Sequence, residues 1–451
     1  MTLREMVSSV RAVAANRAMY LYRMKNREFS MYTVNKNLLN NVPSVIVETD
    51  KFKTITIQLV FRSISERERV TKRNLLSRMM IKRTDTFLKE ADLLNHLAYL
   101  YGAHLTSTTG RKGRDHTVTI GMELVNDKFI YEDMDIVGEM CKLLNEVLQS
   151  PFNYDASDED FFNKEKRLYR NRLKSMKDNR AQASFQAMVN LMFEEEDYKY
   201  FSFGVLEDVE SLTLEDIKEE HSRMMAEDEL KILAVGAVDE DIEDKLSKIH
   251  QREALVELKH QPYPDKAIEQ VKRETDAQKI EQAKLNMGFR VSDLDLQERM
   301  AFNVMNQMFG GSASSLLFQN IREKMSLAYQ ISSQIDIRNG YMFVMGGVDP
   351  KNTEKAETAI LRELETLQRG EFEDDFVEEV KRMMRVNRKE VMDKPKGLLA
   401  LEYNRMLQDE HSSSWEERLA AVDSAMIADV SKRVVLDTVY VLTRSEEDEQ
   451  N

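Results

Sequence analysis

The sequence predicts an α+β protein of two similar domains, each a mostly antiparallel sheet with helices packed mainly on one face, the pair facing each other across a cleft. Three observations carry this. The chain has 451 residues, too many for one ordinary core and enough for two domains of about 200 residues. Its apolar residues alternate between a two-residue period, which suits half-buried strands, and a three-to-four-residue period, which suits amphipathic helices. The same order of elements (strand, helix, helix, hairpin, helices, strand) also occurs twice, at an offset of roughly 230 residues.

In the first copy, Lys53–Arg62 alternates Ile55, Ile57, Leu59 and Phe61 as a strand. Helical patterns follow over Lys72–Leu88 and Ala91–Tyr101, the second stopped by Gly102. Strands at Ala103–Gly110 and Asp115–Leu124 flank the turn Arg111-Lys112-Gly113-Arg114, then come helices and a closing strand, Leu230–Val238. In the second copy, Gln282–Val291 is a strand carrying Leu285, Met287 and Phe289. Leu296, Met300, Val304 and Met308 then mark a helix that Gly310-Gly311 stops. A further helix spans Ser314–Lys324, and strands Ala328–Ile337 and Tyr341–Val348 meet at Asn339-Gly340, a strong hairpin signal. Helices fill most of Asn352–Met406, and Arg433–Arg444 is the last strand.

The expected organisation is a basic extension over residues 1–30, a first domain over 31–245, a charged linker over 246–272, a second domain over 273–445 and an acidic tail over 446–451. Residues 1–30 carry Arg4, Arg11, Arg17, Arg23, Lys25 and Arg27 against only Glu5 and Glu28. That pattern fits either an appended basic helix or a mitochondrial transit peptide, with Met31 as an alternative start. The expected compartment is the cytoplasm, or the mitochondrial matrix if the segment is a transit peptide. One cysteine, Cys141, leaves no internal disulfide and suits reducing surroundings.

Composition narrows the function classes. A net charge of -14 opposes nucleic-acid binding, because a phosphate backbone attracts clustered cations. No stretch approaches the roughly 18 apolar residues of a spanning helix. The 27 methionines mostly occupy helical apolar stripes, where core packing explains them. The glycines at 310 and 311 lie outside any phosphate-loop pattern.

The run Gly310-Gly311-Ser312-Ala313-Ser314-Ser315-Leu316-Leu317-Phe318, continued by Ile321-Arg322-Glu323-Lys324 and Leu327-Ala328-Tyr329, resembles the second-domain motif of the insulinase (pitrilysin-like) zinc peptidases. Together with the element order, the resemblance covers nearly the whole chain from Met31. It implies the two-domain fold of that family. Active members carry H-x-x-E-H on the first helix of their first domain: two histidines bind zinc, and the glutamate is the general base on the bound water. Aligning Lys82-Arg83-Thr84 with the family pattern puts that motif on Asn74-Leu75-Leu76-Ser77-Arg78. Asn74 and Arg78 then replace the histidines and Ser77 replaces the base. The third ligand, a glutamate on a later helix, aligns with Arg172, and Glu165 with an outer acid.

No H-x-x-x-H or H-x-x-E-H spacing exists among His96, His104, His116, His221, His250, His260 and His411. His104 and His116 flank the first hairpin. With the turn at Arg111–Arg114, His116 is expected to pair near Thr109, on the order of 16 Å from His104 and too far to share a metal. The expectation is no metal in this chain.

What the family motif retains is Arg322 and Tyr329. By resemblance these bind substrate backbone carbonyls and support the oxyanion at a zinc site, and donors of this kind are worth about 3 kcal/mol each. The resemblance therefore implies a non-catalytic subunit that shapes a peptide chamber for an active homologue, with zinc in that partner. A self-dimer is the other arrangement. The competing expectation is a structural or peptide-binding member, like the core proteins of respiratory complexes, with no part in catalysis.

Overall fold

The computed structural model describes residues 32–149, 151–152, 157–259, 267–292, 294–407 and 414–445. The basic extension, the acidic tail, His260 and His411 lie outside the described residues.

Two mixed sheets organise the chain. The first holds β1 (Thr33–Leu39), β2 (Val42–Glu48), β3 (Thr54–Ile64), β4 (His104–Lys112), β5 (Asp115–Val125) and β6 (Glu229–Gly236), in the order β1-β2-β6-β3-β5-β4. The second holds β7 (Lys272–Gln278), β8 (Ala283–Val291), β9 (Ala328–Asp336), β10 (Tyr341–Val348) and β11 (Val434–Arg444), in the order β7-β11-β8-β10-β9. Apart from β1, the two orders are the same topology. Each contains one parallel pair, β2 with β6 and β7 with β11, and otherwise antiparallel neighbours.

Alternation along the strands explains both cores. In β3 the odd positions Ile55, Ile57, Leu59 and Phe61 are buried beneath helices α1 (Arg67–Met80), α2 (Glu90–Tyr99), α3 (Ile136–Gln149) and α4 (Ser157–Asp178). In β8, Leu285, Met287, Phe289 and Val291 meet a second set of helices in the same manner. Each core draws its helices mainly to one face, as the repeated pattern predicts.

The opposite face of each sheet is covered by a helix from the other half. Helix α5 (Arg180–Met192) places Met188, Val189 and Met192, with Phe193 and Tyr198 just beyond it, against Tyr341, Phe343, Tyr440 and Leu442 of the second sheet. Reciprocally, α6 (Pro395–Leu407) lays Leu398, Leu399 and Tyr403 on Val45, Val47, Val60, Leu233 and Val235 of the first. At the α5 crossing β8 has Gly288, where a Cβ would collide with the Met192 sulfur. Beside it Asn286 Nδ2 donates to Ser184 Oγ at 2.7 Å. The halves are interlocked by exchanged helices.

Several boundaries differ from expectation. The first helix is Arg67–Met80, not Lys72–Leu88, since residues 81–89 form turns in which the Thr84 amide bonds to Phe87. The first hairpin pairs Lys112 with Asp115, so its loop is only Gly113-Arg114, with Gly113 at φ +66°. His116 therefore faces Arg111, not Thr109. The second hairpin pairs Asp336 with Tyr341, making residues 337–340 a four-residue loop in place of a tight Asn-Gly turn. The Asp336 carboxylate accepts from the amides of Arg338 and Asn339, which holds that loop. The stretch after residue 246 is bound to the first half: Ile249 joins its core, and the Leu258 carbonyl accepts from Arg62 Nη2 at 2.6 Å.

Candidate functional site

Helix α1 leaves the end of β3 and packs on α4 and on the β4–β5 hairpin. The residues expected at the degenerate motif therefore fall in one place. Asn74 is buried, and its side chain is fully engaged: Nδ2 donates to the Val70 and Ser202 carbonyls, and Oδ1 accepts from Thr109 Oγ1 at 2.9 Å. Ser77 Oγ, also buried, donates to the Asn74 carbonyl at 3.0 Å. Arg78, one turn on from Asn74, puts its guanidinium carbon 6.0 Å from the centre of the Tyr169 ring. Tyr169 and Arg172 sit one turn apart on α4, so Arg172 is presented on the same side.

Burial chiefly, and then the positive charge of Arg172, lower the proton affinity of Arg78, while Glu165 and Tyr169 act in the opposite sense. Among the described residues neither arginine has an ion pair or hydrogen bond. Arg78 Nε is a buried donor with no acceptor, a state that costs on the order of 1–3 kcal/mol. The nearby carboxylate of Glu165, fully buried, takes Lys82 Nζ at 2.8 Å on Oε1, while its Oε2 is a buried acceptor with no donor.

A loop seals this place from behind. The Ser202 carbonyl accepts both from Asn74 and from His116 Nε2, the latter at 2.9 Å. Tyr169 Oη donates to the Phe203 carbonyl at 2.7 Å, and Gly204, at φ +97°, lies where a Cβ would collide with that hydroxyl. Beneath it Arg73 is wholly buried, donating through Nε to His116 Nδ1 at 3.0 Å and pairing with Asp228. Arg69 joins the same network through Glu220 at 2.7 Å. Sequence alone places His116 and Thr109 only on the first hairpin, and it does not single out Tyr169 or the buried arginines. Their only sequence signal is a helix whose basic residues fall at i, i+4 spacing, which ordinarily marks a solvated face.

Zinc does not fit here. It needs thiolate, imidazole or carboxylate donors, and positions 74, 77, 78 and 172 present a committed amide, a committed hydroxyl and two guanidiniums, which have donors only. Among the described residues no three His, Cys, Asp or Glu side chains are grouped to hold a metal ion. His104 and His116 are seven strand positions apart, about 23 Å, because His104 faces Glu123 and His116 faces Arg111.

Arg322 and Tyr329 sit at the edge of the second sheet. Arg322 is on a wide, π-type helix, Leu317–Lys324, its guanidinium carbon 4.5 Å from the Phe318 ring centre and its Nε 3.5 Å from Glu323. The helix hands over to β9 through Ser326 at φ +52°, with the Leu327 amide bonded to the Ile321 carbonyl at 2.9 Å. In β9, Ala328 pairs with Val348 and Gln330 with Gly347, which leaves Tyr329 as the extra residue of a β-bulge. The bulge turns Tyr329 outward, 57% exposed, on the strand that ends the sheet. Away from this edge, burial holds the Cys141 thiol up at about 12.

Residues 211–384 match the family described as the peptidase M16 inactive domain. Over 413 residues the chain is 30% identical to the probable inactive metalloprotease YmfF of Bacillus subtilis, spanning 89% of this chain and 95% of that protein. The chain belongs to the M16 peptidase family. A conserved protein from Enterococcus faecalis has the same fold at a TM-score of 0.84 and 28% identity, covering 92% of this M16 chain and 99% of that one. A protease from Helicobacter pylori matches in fold at a TM-score of 0.77 and 16% identity, over 92% and 100% of the two chains. The likeness to a probable inactive metalloprotease and to the inactive-domain family supports a non-catalytic M16 member. Among the described residues no helix is long and apolar enough to cross a membrane.

Proposed function

We infer that this chain is the non-catalytic subunit of a heterodimeric M16 zinc peptidase, closing a peptide chamber and lending Arg322 and Tyr329 to a zinc site on an active homologue. The observation that carries the reading is the bulge at Tyr329. A tyrosine in an ordinary strand register would be half-buried; here an extra residue turns it outward on an edge strand. Bulges re-aim side chains beside active sites, and a helix of π type, frequent at functional sites, carries Arg322. A guanidinium and a phenol donate to carbonyl oxygens and to the negative charge that develops on them as a peptide bond is attacked. Zinc and its water belong to the partner, since the donor set at 74, 77, 78 and 172 cannot hold the metal.

Mixing tests this. The purified chain is combined with a homologue carrying an intact H-x-x-E-H motif from the same organism, and cleavage of an unstructured peptide is followed. The expected result is activity from the mixture that neither protein shows alone. A stable complex with no gain in cleavage would put the structural, core-protein-like reading ahead.

A further inference from the structure

We propose that Arg78 and Arg172 together bind a peptide carboxylate, so that an anion occupies the place where active family members hold a cation. The proposal rests on the peptide-chamber reading only for the identity of the ligand as a peptide.

The chain has 79 acidic and 65 basic residues, so an arginine readily finds a carboxylate. The neighbours of this site do so: Arg69 pairs with Glu220, Arg73 with Asp228, Arg83 with Asp158, and Arg170 with Glu210. Arg78 and Arg172 do not. Arg78 stacks on Tyr169, one turn from Arg172 on α4, the charge of Arg172 opposes that of Arg78, and among the described residues neither has an ion pair. A buried Nε on Arg78 still lacks an acceptor. The nearest buried carboxylate, Glu165, gives one oxygen to Lys82, and its Oε2 accepts from neither arginine. Among the described residues the two guanidiniums thus have no carboxylate hydrogen-bonded to them.

Shape selects the ligand. A guanidinium presents a planar fork of N–H donors that matches the two oxygens of a carboxylate. Tyr169 beneath Arg78 orients the fork, and its own hydroxyl is spent on the Phe203 carbonyl. Arg172 is exposed, so the ligand approaches from solvent and meets Arg172 first, Arg78 second. A peptide supplies such a group as its C-terminal carboxylate or as an Asp or Glu side chain.

The test uses the full chain without any partner and fluorescein-labelled ten-residue Ala/Ser peptides, read by anisotropy. One has a free C-terminus, one is amidated, and one is amidated with a central Glu. Binding of at least one carboxylate-bearing peptide is expected to exceed that of the amidated Ala/Ser peptide by about tenfold. Which one shows the gain identifies the source. Arg172→Gln, at an exposed position, is expected to erase the difference with the melting temperature unchanged or raised. Equal binding of all three peptides, a difference that survives Arg172→Gln, or no binding of any would each overturn the proposal. None of these touches the paired-subunit reading, which is judged by cleavage in the assembled complex.

Discussion

Arg73 Nε donates to His116 Nδ1 at 3.0 Å, and His116 Nε2 faces the Ser202 carbonyl at 2.9 Å. One ring nitrogen must accept and the other donate, so the imidazole is neutral and its tautomer is set. Burial first, then the charge of Arg73, push its pKa from 6.5 to about 3. Because the folded value is depressed, the unfolded chain takes up a proton that the folded chain refuses. The stability held by neutral His116 is therefore complete above about pH 6.5 and is lost as pH falls from there toward 3. Burial also lowers His221, and takes His250 to about 4, so they act in the same direction. Urea unfolding at pH 7.5, 6 and 5 is expected to show declining stability. His116→Gln, which can still accept from Arg73 and donate to Ser202, is expected to flatten that decline in part. An unchanged pH slope would mean that His116 is protonated in the fold.

Cys141 is 1% exposed on α3, and its thiol is held at about 12, chiefly by burial. Thiolate is the reactive form. Ellman's reagent is expected to leave the native chain unmodified over hours at pH 8 and to titrate one thiol in denaturant. Rapid labelling of the native protein would contradict the packing.

The exchanged helices predict that the halves are thermodynamically one unit. A protease site inserted at position 262 should, once cut, leave two fragments that travel together through gel filtration in buffer and separate in urea. The second fragment carries α6, whose Leu399 is fully buried on the first sheet. Leu399→Ala in the intact chain is expected to cost about 2–5 kcal/mol, measured by chemical unfolding.

How much of this could be read in advance follows from where apolar periodicity exists. Ile55, Ile57, Leu59 and Phe61 announce β3, and Leu285, Met287 and Phe289 announce β8, because one face of each strand is packed on helices. The hairpin strand β1 carries no such signal because it is largely uncovered, and β7, KRETDAQ, carries none because it is an almost wholly exposed strand held by backbone pairing with β11. Asn40 and Asn41, both at positive φ, mark the β1–β2 turn and were the legible clue. The helix exchange left no trace, since an amphipathic stripe on α5 or α6 does not say which sheet it covers. At the site, the sequence shows Asn, Ser and Arg at positions 74, 77 and 78, but not that the Asn74 amide is held by Ser202 and Thr109. The bulge at Tyr329 depends on how β9 registers against Gly347 and Val348, which one strand's sequence does not encode.

Metal content can be predicted from the donor set. The purified chain is expected to carry well under one zinc per chain by elemental analysis. Asn74→His, Ser77→Glu and Arg78→His together still leave Arg172 at the third ligand position, so this triple variant is expected to stay empty. Adding Arg172→Glu completes three ligands, and only this quadruple variant is expected to hold zinc. Stoichiometric zinc in the unaltered chain would overturn the assignment of the motif positions.

The last prediction concerns Arg322 and Tyr329 in an assembled, active pair. If these side chains donate to charge that appears only as the peptide carbonyl is attacked, their removal weakens the transition state more than the bound substrate. Arg322→Ala or Tyr329→Phe is then expected to lower kcat more than it raises KM, by roughly 10- to 1000-fold. Both side chains are substantially exposed and outside the cores, so folding is expected to survive. Gel filtration of each variant with the active homologue establishes that assembly is intact before rates are compared. Tyr329→Phe keeps the ring and removes only the donor, which separates hydrogen bonding from packing. Deleting one residue at the bulge supplies an independent control: with the Tyr329 ring turned toward the sheet, the rate should fall as far as in Tyr329→Phe. A complex that assembles normally and keeps full activity with Tyr329→Phe and Arg322→Ala would assign the pair a structural role only.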